Sequence, residues 1–206
     1  MHPDGQLSYD AVADALAECG WGVFTGALSP ELVSALAEHA RSLETYRTAG
    51  VGRNGDAQLN RFVRRDRIAW IDGSDPVGAQ WLCWTDGLRR HLNRSLMLGL
   101  RSFESHFAHY APGTFYRRHL DAFRGEANRV VSLVCYLNET WLPADGGELV
   151  LYDEAGQNLG RFPPTMGTLA VYLSERFPHE VLPTRSDRYS LAGWFRCRAA
   201  LPLANV

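Results

Sequence analysis

From about residue 103 the chain breaks into eight short runs with strand-like character. They are FESHFAHYA, FYRRHLD, VVSLVCYLN, GELVLYD, NLGRFPP, TLAVYL, PHEVLP and RYSLAGWF, separated by Gly, Pro, Asn and Asp. None is long enough for a helix of ordinary length. Closely spaced strands with turns between them predict an antiparallel sandwich or barrel of the jelly-roll kind. This is the strongest constraint on the fold.

The N-terminal half reads differently. Ser8 is placed to cap a short helix carrying Val12, Leu16 and Cys19, and WGVFTGAL follows as a strand. Ser29 and Pro30 then open a second helix with Leu32, Leu36, Ala40 and Leu43 on one face. Pro76 starts a third, in which Val77, Trp81, Trp84, Leu88 and Leu92 recur at helical spacing. Such a stripe is what a helix needs to bury one face. The expected class is α+β. Residues 1–102 form a helical and strand support, 103–197 a core of about eight antiparallel strands, and 198–206 a tail, in one compact domain of 206 residues. The segment at about 47–67, with closely spaced glycines followed by arginines, reads as a mobile loop able to close over a substrate.

Composition excludes some functions. All 21 basic residues are arginine, so Schiff-base and lysine general-base chemistry have no side chain to use. The net charge of -2 gives no reason to expect nucleic acid or an anionic membrane as partner. Cys19, Cys83, Cys135 and Cys197 lie far apart without zinc-ligand spacing and read as buried thiols in a reducing compartment. The start of the chain lacks a basic segment followed by an apolar one, and no long apolar run follows, so a cytoplasmic protein is expected.

The chemistry concentrates in RRHLD. On a strand, residues two apart share a face, so His119 and Asp121 converge. An imidazole and a carboxylate are two-thirds of a 2-His-1-carboxylate triad, a donor set suited to Fe(II) with an open coordination face. FPHEVLP supplies a distal His179. Arg188 follows nine residues later, past a turn, which predicts a hairpin with His179 and Arg188 on neighbouring strands. A guanidinium matches a carboxylate in a two-bonded fork, so Arg188 suits the far carboxylate of 2-oxoglutarate. His106 and His109 face opposite ways and read as structural or supporting residues.

These motifs, in order, resemble the 2-oxoglutarate and Fe(II)-dependent dioxygenases, in the prolyl-4-hydroxylase-like branch. The resemblance covers roughly residues 20–197. RRDRIAWIDG looks like the substrate-loop strand, HYAPGTFYRRHLD the iron-binding strand, VCYLNETW and GGELVLY the central strands, and PHEVLP with RYSLAGWF the distal histidine and arginine strands. It implies a double-stranded β-helix core. It implies iron at His119, Asp121 and His179, and 2-oxoglutarate held by Arg188, Tyr136 and Tyr110. Trp194 would wall the pocket, with Arg64, Asp66 and Trp70 on the substrate-facing loop. The implied reaction consumes O2 and 2-oxoglutarate, releases succinate and CO2, and hydroxylates a C–H bond. The implied target is C4 of a prolyl residue in a protein, with ascorbate as a stimulant. Ala192 departs from the pattern, standing where animal members often carry a hydroxyl. The alternatives are the same cofactors acting on a free amino acid or other small molecule, a non-catalytic jelly-roll binding module, and a zinc hydrolase using the same ligands.

Overall fold

The structure is a computed structural model that describes residues 8–49, 64–122 and 128–197. Most of the predicted loop (50–63) and the tail (198–206) lie outside the described residues. Two antiparallel sheets face each other. The larger has seven strands, β1 (Trp21–Phe24), β9 (Leu169–Leu173), β6 (Arg129–Tyr136), β11 (Arg188–Arg196), β4 (Ser102–Tyr110), β3 (Arg67–Trp70) and β2 (Arg47–Thr48), in that spatial order. The smaller runs β5 (Tyr116–His119), β10 (His179–Val181), β7 (Leu149–Tyr152) and β8 (Asn158–Phe162). All eight predicted runs are strands. Three more, from the N-terminal half, extend the large sheet at its two edges.

Each helix starts where its cap residue dictates. Ser8 Oγ accepts from Asp10 N to open α1 (Tyr9–Glu18), and Ser29 Oγ accepts from Leu32 N to open α2 (Pro30–Ser42). Asp75 caps α3 (Pro76–Leu96) through the Gly78 amide at 2.6 Å. The helices cover the outer face of the large sheet. Leu16, Leu36, Trp81, Leu88 and Leu92 pack with Leu133, Val171, Leu191 and Phe195 in one buried cluster. Each such side chain, fully buried, contributes about 1.5–3 kcal/mol. The Trp81 indole is fully buried, and its N–H donates to Ser105 Oγ at 3.0 Å, so the helix is keyed to β4 by a polar contact as well. The faces differ in detail from expectation. On α2 the buried set is Val33, Leu36, Ala37 and Ala40, and Leu43 is the cap beyond the helix. Of the thiols only Cys135 is buried. Cys19 lies past the end of α1, and both it and Cys83 are exposed.

α3 ends at Met97, which has φ 52° and is 88% exposed. A left-handed conformation costs a β-carbon-bearing residue about 1–2 kcal/mol, and the described residues leave this side chain almost wholly exposed in return. Met97→Gly should therefore raise stability by about 0.5–1 kcal/mol, read as a higher urea midpoint at unchanged slope.

One expectation about connectivity is corrected. β10 and β11 are not hairpin partners. His179 sits in the small sheet opposite His119 and Leu151, and Arg188 starts a strand of the large sheet opposite Tyr110. The chain between them crosses layers because Thr184 is engaged by other segments. Its amide donates to the Thr114 carbonyl, and its carbonyl accepts from Gly113 N. The result suits a binding site better than a hairpin would, since the two side chains approach from opposite walls.

Candidate active site

Between the sheets lies a cavity of about 70 Å³ lined by His119, Asp121, His179, Tyr110 and Arg188, among others. His119 closes β5, while Asp121 stands just beyond it in a bend, so the turn rather than strand alternation completes the convergence. His119 Nε2 is 3.6 Å from Asp121 Oδ1, and His179 Nε2 is 3.6 Å from Asp121 Oδ2. All three donor atoms lie within 4.8 Å of one another, the one such cluster among the described residues.

Each imidazole is set in its tautomer by the backbone. His119 Nδ1 contacts the Arg117 carbonyl at 2.8 Å, and His179 Nδ1 contacts the Phe177 carbonyl at 3.1 Å. A carbonyl only accepts, so both Nδ1 atoms carry the proton and both Nε2 lone pairs face Asp121. Burial pushes the His179 pKa down to about 4, with the His119 charge adding to the effect and Asp121 opposing it. Burial alone would raise the Asp121 pKa, but the His179 charge and the His119 hydrogen bond and charge outweigh it, and the carboxyl is held well below its usual range. An uncharged His179 imidazole and an ionised Asp121 carboxylate are protonation states that a divalent transition metal requires of its ligands. The donor set fits Fe(II).

The cosubstrate end is equally defined. Arg188 is 1% exposed. Its Nε donates to the Gly147 carbonyl at 2.8 Å and its Nη1 to Ser190 Oγ at 3.3 Å. Those two bonds aim the guanidinium and leave donors to spare on its side facing Tyr136. Gly147 has φ +71°, and a β-carbon there would stand 3.1 Å from Arg188 Cδ, so glycine is needed both for the turn and for the approach. The ring centroids of Tyr110 and Tyr136 lie 4.9 and 5.1 Å from the guanidinium carbon. The Tyr136 hydroxyl is buried with no hydrogen-bond partner among the described residues. Burial raises its pKa to about 12 despite Arg188, so it remains a neutral donor. An unpaired buried hydroxyl costs about 1–3 kcal/mol. Beside an arginine with spare donors, it is a site waiting for a carboxylate. These residues fit 2-oxoglutarate.

The other predicted residues separate. Trp194 walls the cavity, and its indole N–H is also buried without a partner among the described residues. Arg64 lines the cavity and lies 4.7 Å over the Tyr116 ring. Asp66 is 0% exposed and clamps Arg64 through two bonds of 2.5 and 2.8 Å. It was expected on a substrate-facing loop; instead it is buried and orients Arg64. Trp70, 42% exposed, ends β3 and meets His106 edge-on at 5.1 Å.

Among the cavity residues, sequence reasoning passed over Tyr116, Arg129 and Tyr172 and read His106 only as structural or supporting. The signal for His106 was present, since it shares a face of β4 with Tyr110. His109, on the other face, pairs with Asp187 at 2.7 Å and stacks on Tyr189. Burial, reinforced by Arg64 and Arg129 and opposed by Asp66, pushes the His106 pKa from 6.5 down to about 3. Below pH 6.5 the unfolded chain takes up a proton here that the folded chain refuses, so this contribution falls with acid and is full only above 6.5. Between about pH 6.5 and 5 the wild type should lose about 2 kcal/mol more stability than a His106→Gln protein, measured by urea unfolding at each pH.

Comparison with known proteins agrees with this geometry. Residues 105–196 match the family model of the 2OG-Fe(II) oxygenase superfamily. A Pseudomonas putida prolyl-4-hydroxylase structure superposes with a TM-score of 0.83 at 42% identity, covering 93% of this chain and all of that one. A Trichoplax adhaerens prolyl hydroxylase, in complex with a hypoxia inducible factor oxygen degradation domain peptide fragment, gives 0.82 at 26% identity, covering 91% of this chain and 88% of that one. Human Egl nine homolog 1 is 27% identical over 209 residues, covering 94% of this chain but 47% of the human protein. The chain spans less than two thirds of the length of this and the rodent Egl nine homologs. It belongs to the 2-oxoglutarate and Fe(II)-dependent oxygenases, in their prolyl-4-hydroxylase-like branch.

Proposed function

We propose that this chain is a dioxygenase that hydroxylates C4 of a prolyl residue in a protein, using Fe(II), 2-oxoglutarate and O2. The observation that carries the reading is a single cavity with the His119–Asp121–His179 cluster on one wall and the partly unpaired Arg188 on the other. When bound, iron and 2-oxoglutarate supply the oxidising power, with decarboxylation to succinate and CO2 and transfer of one oxygen atom to a C–H bond.

The chain's own residues bind and orient. His119 and His179 offer Nε2 and Asp121 a carboxylate oxygen to the iron. Arg188 and the Tyr136 hydroxyl grip the far carboxylate of the cosubstrate, and Tyr110 packs against the guanidinium. Arg129 lies 3.7 Å over the Trp194 ring, and with Arg64 and the Trp194 indole N–H it gives the cavity several donors for the carbonyls of an entering peptide. The peptide-bound Trichoplax relative supports a protein over a free amino acid.

We place the enzyme in the cytoplasm, a reading supported by four free cysteines, two of them exposed. Among the described residues no helix is long and apolar enough to cross a membrane. Ascorbate, a reductant that keeps iron ferrous, should stimulate turnover. The test is intact-mass analysis of proline-containing proteins incubated with iron-loaded enzyme, 2-oxoglutarate and O2, with succinate measured in parallel. A substrate should gain the mass of one oxygen atom, lost when its proline is changed to alanine. Succinate formed only with free proline or another small molecule would replace the protein substrate, and no succinate under any condition would end the enzymatic reading.

A further inference from the structure

The iron-binding carboxylate has a second set of partners that the reaction, as described, does not use. Ser132 Oγ lies 2.7 Å from Asp121 Oδ2, and Ser174 Oγ lies 2.9 Å from Ser132 Oγ. We infer that Ser132 is a positioning residue that commits one oxygen of Asp121, so that the carboxylate presents a cation with a single oxygen. The inference rests on the reading of His119, Asp121 and His179 as the iron site.

The direction of this chain follows from chemistry. An ionised carboxylate can only accept, so the Ser132 proton goes to Asp121. A hydroxyl has one proton, so Ser132 must then accept from Ser174. The order is Ser174 to Ser132 to Asp121, and each link polarises the next. An O–H donor at 2.7 Å to a charged oxygen belongs to the stronger class of hydrogen bonds. Both serines are almost wholly buried, at 1% and 0% exposure, so water does not compete for these groups.

Placement adds a second argument. Asp121 hangs from the end of β5 in the small sheet, whereas Ser132 is on β6 and Ser174 just past β9, both in the large sheet. The ligand is thus held from the opposite wall as well as by its own bend. This matters because an octahedral ion with three protein ligands keeps three positions, enough for a chelating cosubstrate and O2. A carboxylate free to chelate would take one of them.

The test uses the metal-free full chain and Co(II), whose visible spectrum reports its coordination. Wild type, Ser132→Ala, Ser132→Thr, Ser174→Ala and Asp121→Ala are titrated by calorimetry and by absorbance, without and with 2-oxoglutarate. Loss of a supporting partner to a metal ligand weakens metal binding about 10–100-fold, and Ser132→Ala should fall in that range with an altered Co(II) band. It should also bind 2-oxoglutarate more weakly in the cobalt-loaded form. Ser132→Thr restores the hydroxyl and should restore affinity and spectrum, and Ser174→Ala should show a smaller change in the same direction. A merely structural serine would move the unfolding midpoint and leave the cobalt spectrum alone. If Ser132→Ala does not fold, Ser132→Cys, similar in size but a poor donor, decides on the same readouts. Unchanged affinity and spectrum in the deciding variant, with binding abolished in Asp121→Ala, would overturn the inference and leave the iron site standing. Binding in Asp121→Ala equal to wild type would overturn the iron site itself.

Discussion

An Arg188→Leu protein should need roughly two to three powers of ten more 2-oxoglutarate to reach half-maximal turnover. Arg188 is buried beside the unpaired Tyr136 hydroxyl, so the far carboxylate of the cosubstrate would enter a water-poor site with its counter-charge gone. Removing one partner of a buried charge pair costs about 3–5 kcal/mol, and each 1.4 kcal/mol is about tenfold. Leucine also leaves the Gly147 carbonyl without its donor, a smaller cost borne by the fold. Arg188→Lys keeps the charge but loses the planar fork, so it should recover only part of the affinity. Anaerobic titration of 2-oxoglutarate into the metal-loaded proteins separates binding from turnover. Equal affinity in wild type and Arg188→Leu would show that the dicarboxylate binds elsewhere.

The second large effect is at Asp121. Asp121→Ala removes the only anion of the cluster, leaving two imidazoles with ring centroids 4.3 Å apart and a Ser132 hydroxyl that has lost its carboxylate acceptor. Metal affinity should fall by more than about 100-fold, since even indirect partners of a metal ligand are worth 10–100-fold. Succinate production should fall below detection at iron concentrations that saturate the wild type. Chelation with EDTA should reproduce the loss in the wild type, and Fe(II) should reverse it there but not in the variant. The metal-free variant should remain folded, which circular dichroism can check.

The strands were readable because their punctuation is local. Gly, Pro, Asn and Asp bound each run, and the eight runs became eight strands. Helix starts were readable for the same reason, as Ser29 with Pro30 shows. The metal ligands and Arg188 stood out because their residue types are costly to bury without a task. What failed was long-range geometry. The spacing from His179 to Arg188 suits a hairpin, and only the hold of Thr114 and Gly113 on Thr184 sends the chain to the other layer. Asp66 was placed on the substrate-facing loop by the resemblance, and nothing local reveals that it is buried and paired with Arg64. Ser132 went unassigned, and His106 was read only as structural or supporting, because a serine or histidine within an apolar strand resembles any satisfied core polar residue until its partners are known.

The separation of ligands between the two layers has a mechanical corollary. A dicarboxylate anchored at one end by Arg188 and at the other by a cation on the small sheet would rivet the sandwich shut across its opening. Cation and cosubstrate together should then resist heat and proteolysis more than the sum of their separate effects, because each fastens one leaf and only the pair spans the gap.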